Sequence, residues 1–403
     1  MKQQHTNEEL RQLDEEHYLQ VFKRTPIALV RGRGCHVVDA DGVKYLDALA
    51  GIAVNSLGHC HPAVVRALTE QAAELMHISN FYVSPAQALL AARLTELSGL
   101  SRAFMTNSGG ESVETAVKLA RKHSHAKGRG GEIISFEGCF HGRTMATIAA
   151  ANEKYQRGFE PMPAGFTQVP FNDIVALRSA VSDSTAAILL EPVQGEGGIR
   201  PASRELIDDV RWLCDETGVA LIFDEVQCGI ARTGRWFAFE HYGVRPDILA
   251  LAKGLGAGFP VGAVLCTGEI AAAIEYGDHG TTFGGNPLAC SCALAAIDVI
   301  EHEGLLNYAA AQGRRLVERL ESAARRIPCI RDVRGMGLMI GVELSIAGAP
   351  VVKAMLDRRV LSNCTQGNVI RLVPPLNTPA PELDRMTDAL LESIREVAGN
   401  AST

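Results

Sequence analysis

The chain has 403 residues, 47% of them hydrophobic, and a formal net charge of -7. That length favours two or more domains over one. The mild acidity excludes the basic footprint of a nucleic-acid binder, and no apolar run approaches the ~20 residues of a membrane-spanning helix, so neither partner is expected.

Taken in chain order, Met1-Lys2-Gln3-Gln4-His5 turns acidic at Glu8 and Glu9 and carries no apolar core of a secretory signal. A cytoplasmic location is expected. Gly32, Gly34 and Asp41-Gly42 mark turns between short strands. Ala103–Met105 is apolar and leads into Thr106-Asn107-Ser108-Gly109-Gly110-Glu111. Val113, Ala116, Val117 and Ala120 then follow helical spacing. Four continuous apolar runs, Ala186–Leu190, Val219–Phe223, Ile248–Ala252 and Val261–Leu265, suit strands buried on both faces of a parallel sheet. Between the first two lies a helix through Leu206, Val210 and Leu213, with Ser203 as its cap. Further helices are predicted over Leu288–Glu301 and Leu305–Ala324, with a domain change near Gly304. Past Ile330, Val333-Arg334-Gly335-Met336-Gly337 leads into a last apolar run, Leu338–Val342. This alternation predicts an α/β layer fold. The ten cysteines are scattered without a Cys-x-x-Cys pair. They read as small buried hydrophobes, not as a disulfide framework. His59-x-His61 and His123-x-His125 lack a third ligand at sensible spacing, so no metal is expected.

Three places carry chemistry. The glycine turn at Ser108, Gly109 and Gly110 opens a helix, which presents N–H groups and the positive end of the dipole to an anion. An ordinary strand-to-helix turn reads the same way. Asp224 ends a buried strand, where open α/β sheets bind ligands. A carboxylate there raises the pKa of a heterocyclic nitrogen by about 1–3 units, although a helix cap or half of a metal-binding pair is an equal reading. Lys253 ends another apolar run, where desolvation favours the neutral, nucleophilic amine used in Schiff-base chemistry; most lysines at strand ends simply reach solvent. Together the three supply a phosphate cradle, a pyridinium partner and an amine, the parts that a pyridoxal-phosphate enzyme asks of its protein.

The text also resembles the class III, fold-type I aminotransferases, and within them the acetylornithine branch. The matching segments are Leu57-Gly58-His59-Cys60-His61-Pro62, Asn107-Ser108-Gly109, Phe140-His141-Gly142-Arg143-Thr144, Glu191-Pro192-Val193-Gln194-Gly195-Glu196-Gly197-Gly198, Phe223-Asp224-Glu225-Val226-Gln227, Ala252-Lys253 and Thr281-Thr282-Phe283-Gly284-Gly285-Asn286-Pro287. They keep their order from about Pro26 to the C-terminus.

The resemblance implies a mainly parallel central sheet sandwiched by helices, with a smaller α+β domain from both chain ends. It divides the chain as 1–60 and 304–403 for the small domain and 61–303 for the large one. It implies that Lys253 holds pyridoxal 5′-phosphate as a Schiff base and that Asp224 partners the ring nitrogen. Phe140 would stack on one ring face and Val226 on the other, Gln227 would bond the phenolic oxygen, and His141 would support Phe140 or the ring edge. Ser108, Gly109 and Gly110 would take the phosphate, with Thr282 reaching it from a neighbouring subunit of a homodimer and Thr281 beside the substrate. Arg143 would grip a substrate carboxylate, Arg371 the α-carboxylate of glutamate, and Glu196 would neutralise Arg371 when that carboxylate is absent. Gly110 stands where the family often has threonine or alanine. Ile52 stands where ornithine aminotransferases usually carry an aromatic residue, and Ala50–Asn55 with Asn80-Phe81-Tyr82 looks closer to the enzymes of acylated ornithine. The implied reaction is transamination of N-acetylornithine with 2-oxoglutarate. Succinylornithine, succinyldiaminopimelate, ornithine and 4-aminobutyrate are the neighbouring donors. A racemase or decarboxylase would not need Arg371 with Glu196. A nicotinamide-dependent dehydrogenase would need an early Gly-x-Gly-x-x-Gly that is missing. A silent binding protein would not need Lys253 and its partners.

Overall fold

A computed structural model describes residues 5–400; the outermost residues of the two expected small-domain segments, 1–4 and 401–403, lie outside the described residues. Three short strands open the chain, β1 (Leu29–Arg33), β2 (His36–Asp39) and β3 (Lys44–Asp47). The middle supplies β4 (Arg102–Thr106), β5 (Glu132–Phe136), β6 (Phe166–Val169) and β7 (Thr185–Leu190). A two-stranded ribbon, β8 (Val193–Gln194) with β9 (Arg200–Pro201), follows. Then come β10 (Ala220–Asp224), β11 (Ile248–Leu251) and β12 (Gly262–Cys266). The C-terminal part holds β13 (Ile330–Met336), β14 (Met339–Leu344), β15 (Val360–Leu361), β16 (Asn363–Thr365) and β17 (Val369–Leu372).

The central sheet has the order β4-β12-β11-β10-β7-β5-β6. Strands β7, β10, β11 and β12 are buried along their whole length, which is why their sequences are apolar without alternation. Successive residues face opposite layers. Ala187, Leu189, Ile222, Ile248 and Ala250 pack on Val113, Ala116, Val117 and Ala120 of the helix Gly109–Ala126. Ile188, Leu190, Leu221, Phe223 and Leu249 join the other core with Leu206, Val210 and Leu213 of the helix Arg204–Thr217. Ser203 caps that second helix by accepting the N–H of Leu206 at 3.1 Å. Truncating one such side chain, Leu249→Ala for instance, should cost about 2–5 kcal/mol.

One strand corrects the sequence reading. The run read at Val261–Leu265 as a parallel strand forms β12, which is antiparallel to β11 and to β4. Only residues 252–261 separate β11 from β12, fewer than the dozen or so that a parallel crossover needs, so the chain turns back. Because β4 is antiparallel to β12 in turn, it points the same way as β11. The carboxyl ends of β4, β5, β7, β10 and β11 therefore open on one edge, where open α/β sheets bind ligands.

The two ends of the chain meet. β15 pairs in parallel with β3, Val360 opposite Leu46, beside the β1-β2-β3 meander. A second antiparallel sheet, β13-β14-β17-β16, carries Arg371 opposite Gly341 and Asn363. Gly304, where the domain change was expected, is a left-handed residue (φ 64°) that starts the helix Leu305–Ala324.

Candidate active site

Each carboxyl end at that edge delivers one chemical group. Ser108, two residues past β4, caps the helix Gly109–Ala126 by accepting the N–H of Glu111 at 3.2 Å. Glu111 answers by accepting the Asn107 N–H at 2.6 Å. The turn thus points a helix N-terminus at the cavity. A cavity of about 310 Å³ opens there, lined by Ser108, Gly109, Gly110, Phe140, Val226 and Lys253, with Asp224, His141 and Gln227 in its floor.

Asp224 ends β10 and is 4% exposed. Its Oδ1 accepts the Val226 N–H at 3.0 Å, and its Oδ2 lies 2.7 Å from His141 Nδ1. The structure sets His141 against Asp224 in the cavity lining, where support of Phe140 or of the ring edge was expected. Burial opposes the charged ring, but the neighbouring Cys139 and the Asp224 carboxylate outweigh it and push His141 well above the ordinary imidazole range. Its Nε2 is buried without a hydrogen-bond partner.

Lys253 lies two residues past β11, with φ of 42°, and lines the same cavity. Burial, helped by the charge of Arg371, lowers its pKa, with Asp224, Glu196 and Glu191 pulling the other way. The result favours the neutral amine.

Glu191, the residue after β7, belongs to the site although the sequence reading passed over it as part of a longer motif. It is 6% exposed, and its Oε2 has no hydrogen-bond partner. Burial raises its pKa to about 8, with Asp224 adding to the rise and His141 and Lys253 opposing it. Its signal was visible: a carboxylate ends the apolar run Ala186–Leu190, as Asp224 ends another. His141, Glu191 and Asp224 bring ligand-type atoms within 4.8 Å of one another. As a cation site the trio is poor, since Asp224 and His141 already bond each other and Glu191 is held protonated, whereas a metal asks for deprotonated ligands.

Arg371 is wholly buried on β17. Its Nη1 reaches Glu196 Oε1 at 2.6 Å and Gln227 Oε1 at 3.2 Å, and its Nε donates to Asn363 at 3.1 Å. Gln227, expected to face a phenolic oxygen, is thus shared with Arg371. Arg143 does not line the cavity; it is exposed, with its guanidinium 4.2 Å from the centre of the Tyr155 ring and 5.4 Å from that of Phe140, which does. Thr281 and Thr282 do not line the cavity, although Thr281 Oγ1 accepts at 3.4 Å from Nδ2 of Asn107, which does. They border a broad depression of about 940 Å³ beside the exposed Phe81, Tyr82 and Val83.

The donor set fits pyridoxal 5′-phosphate: an anion-binding turn, a buried carboxylate for a ring nitrogen, apolar Phe140 and Val226 for its faces, and a buried lysine of lowered pKa for its aldehyde.

Residues 19–394 match the family described as Aminotransferase class-III. An acetylornithine aminotransferase of Methanocaldococcus jannaschii is 54% identical over 388 residues, which cover 96% of this chain and 98% of that protein. One from Methanothermobacter thermautotrophicus is 47% identical over 385 residues, covering 95% and 98%. Among solved structures, the ornithine aminotransferase from Toxoplasma gondii ME49 matches with a TM-score of 0.95 at 33% identity, covering 98% of this chain and 96% of that one. The acetylornithine aminotransferase from Elizabethkingia anophelis matches with a TM-score of 0.87 at 36% identity, covering 97% and 100%. Fold, site and sequence agree, and this chain belongs to the class III aminotransferases.

Proposed function

We propose that the chain moves the terminal amine of N-acetylornithine to 2-oxoglutarate, giving N-acetylglutamate 5-semialdehyde and glutamate, with pyridoxal 5′-phosphate bound through Lys253. The carrying observation is the 2.6 Å pair between Arg371 and Glu196 beside the lysine cavity, a device for a site that must alternate between substrates with one and two carboxylates. Relatives named as acetylornithine aminotransferases at 46–54% identity support this donor.

When bound, the cofactor supplies an electron sink for the carbon that carries the amine. The chain supplies the rest. Ser108, Gly109 and Gly110 bind the phosphate, and Asp224, backed by His141, keeps the ring nitrogen protonated. Lys253 Nζ would carry the proton to and from the substrate carbon, a role that its lowered pKa suits. Arg143 orients the donor's carboxylate. Arg371 takes the second carboxylate of glutamate after Glu196 lets go, a grip suited to the planar guanidinium fork.

A second copy of the chain completes this reading. The exposed Phe81, Tyr82, Val83 and Phe283 beside Thr282 suit a homodimer in which Thr282 of one copy approaches the phosphate turn of the other. Among the described residues no helix is long and apolar enough to cross a membrane; a cytoplasmic location is part of the proposal.

The test is borohydride reduction with peptide mapping, followed by a panel of ω-amino donors with 2-oxoglutarate. Labelling at Lys253 and a preference for N-acetylornithine are expected. Labelling elsewhere, or a preference for free ornithine or 4-aminobutyrate, overturns the assignment.

A further inference from the structure

Between β3 and the helix Pro62–Glu74 the backbone makes one turn of left-handed helix. Ala50, Gly51, Ile52 and Ala53 have φ of 50°, 63°, 63° and 63°. Three of these four residues carry a Cβ, and the left-handed helical conformation costs such residues roughly 1–2 kcal/mol each. A β-branched residue like Ile52 is among the least tolerant. Strain of this kind persists where the surroundings over-determine it, and it clusters at functional sites.

The over-determination comes from Asp47, the last residue of β3, which is 4% exposed. Its Oδ1 accepts the N–H of Leu49 at 2.9 Å and of Ala50 at 2.8 Å, so one carboxylate oxygen fixes the entry to the turn. Its Oδ2 lies 2.8 Å from His59 Nε2. His59 is itself clamped. Its backbone exchanges two hydrogen bonds with Gly34, at 2.8 and 2.9 Å, and its side chain leaves no room for a Cβ on Gly32, which would fall 2.6 Å from His59 Cβ. The turn then closes on itself, the N–H groups of Val54 and Asn55 both donating to Ala50 O at 2.8 Å.

The far end of the turn is a wall of the lysine cavity. Val54 lines that cavity, and Ser56 Oγ donates at 2.9 Å to the carbonyl of Gly254, the residue after Lys253. Lys253 and Ala257 are left-handed too, at 42° and 46°. The Ser56–Gly254 bond thus ties the chain just past the turn to the residue after left-handed Lys253.

We propose that Asp47 and His59 are positioning residues: they latch the left-handed turn Ala50–Ala53, and through it hold the Val54 wall and the Lys253–Gly254 backbone in register for the donor substrate. This rests on the reading of Lys253 as the cofactor-bearing lysine. With the latch removed, the turn relaxes toward ordinary backbone and the wall loses its place.

The test uses Asp47→Ala, Asp47→Asn, and Asp47→Ala combined with Ala50→Gly and Ala53→Gly. Glycine takes the left-handed conformation without steric penalty, so the combined variant removes the strain at two of the three Cβ-bearing residues along with the latch, leaving that of Ile52. Deuterium exchange of the amides over 49–56 is read on the holoenzyme without substrate, and donor KM and kcat are read separately. Asp47→Ala should speed exchange over 49–56 at least roughly tenfold and raise donor KM several-fold more than it lowers kcat. Asp47→Asn keeps one oxygen for the Leu49 and Ala50 N–H groups but turns an NH2 toward His59 Nε2, so it should fall between wild type and Asp47→Ala. The two glycines should return most of the exchange protection and KM. Unchanged exchange in Asp47→Ala, or no recovery with the glycines, overturns the latch. Exchange does not depend on which lysine holds the cofactor, so failure of the Lys253 assignment shows separately in the borohydride map.

Discussion

Arg371 Nη1 lies 2.6 Å from Glu196 Oε1, while Arg371 Nη2, wholly buried, has no hydrogen-bond partner. One guanidinium nitrogen is thus paired with a side chain that is 29% exposed, and the other has no hydrogen-bond partner among the described residues. A buried cation left unpaired is costly, so removing Glu196 should hurt the half-reaction in which no substrate carboxylate replaces it. In single-turnover stopped-flow, Glu196→Ala should slow amine uptake from N-acetylornithine by about tenfold or more, a loss of about 1.4 kcal/mol, and slow the glutamate half-reaction much less. Equal losses in both would remove the switch from the mechanism.

The phosphate turn gives a contrast between adjacent glycines. A Cβ on Gly109 would fall 2.6 Å from Val226 Cγ1, whereas on Gly110 its nearest neighbour is Thr144 Cγ2 at 3.8 Å. Gly109→Ala must push Val226 into the cavity, at an overpacking cost of about 1–3 kcal/mol. Gly110→Ala makes only an ordinary van der Waals contact with Thr144. Titrating apo-protein with pyridoxal 5′-phosphate should show weaker binding for Gly109→Ala and near wild-type binding for Gly110→Ala. The reverse order would place the phosphate elsewhere.

Glu191 makes stability depend on pH. Its carboxyl titrates near 8 in the folded chain, raised by burial from an ordinary 4.5. A group that holds its proton more tightly when folded contributes stability that is fully present below its unfolded pKa and lost as pH rises through the folded one. The loss therefore runs from about 4.5 to about 8. Glu191→Gln mimics the protonated acid, so the variant should melt like wild type at pH 5 and lose less Tm than wild type by pH 8.5. Parallel melting curves across that range would mean that Glu191 is ionised in the fold.

Asp224 and Lys253 were legible because each ends a run of apolar residues, and a charged group there has to be explained. The four central strands were legible for the same reason, burial on both faces. The direction of β12 was not, because Val261–Leu265 is apolar whichever way it runs; the short link from β11 decides it. The turn at Ala50–Ala53 left no trace either. Alanine and isoleucine do not favour left-handed backbone, and the cause lies in Asp47 and His59, neither of which adjoins the turn. Gln227 was expected at the cofactor ring, but its neighbour Arg371 lies 144 residues away in sequence, and only folding brings the two together.

Tyr155 is a residue that spacing could not find. Its ring meets Phe140 edge-on, 5.7 Å between centroids at 80°, and carries the Arg143 guanidinium on its face at 4.2 Å, with Lys154 Nζ at 4.8 Å. Arg143 is exposed, and the aromatic face holds its guanidinium beside Phe140, a residue of the cavity lining; if Arg143 orients the donor's carboxylate as proposed, that contact sets its position. An exposed cation–π contact is worth about 0.5–1 kcal/mol, a factor of roughly 2–5 at a conversion of 1.4 kcal/mol per tenfold. Tyr155→Leu should raise donor KM by that factor and leave kcat nearly unchanged, while Tyr155→Phe, which keeps the ring, should match wild type in both. A fall in kcat without a change in KM would mean that Tyr155 acts on the cofactor through Phe140, and the tie to Arg143 would have to be given up.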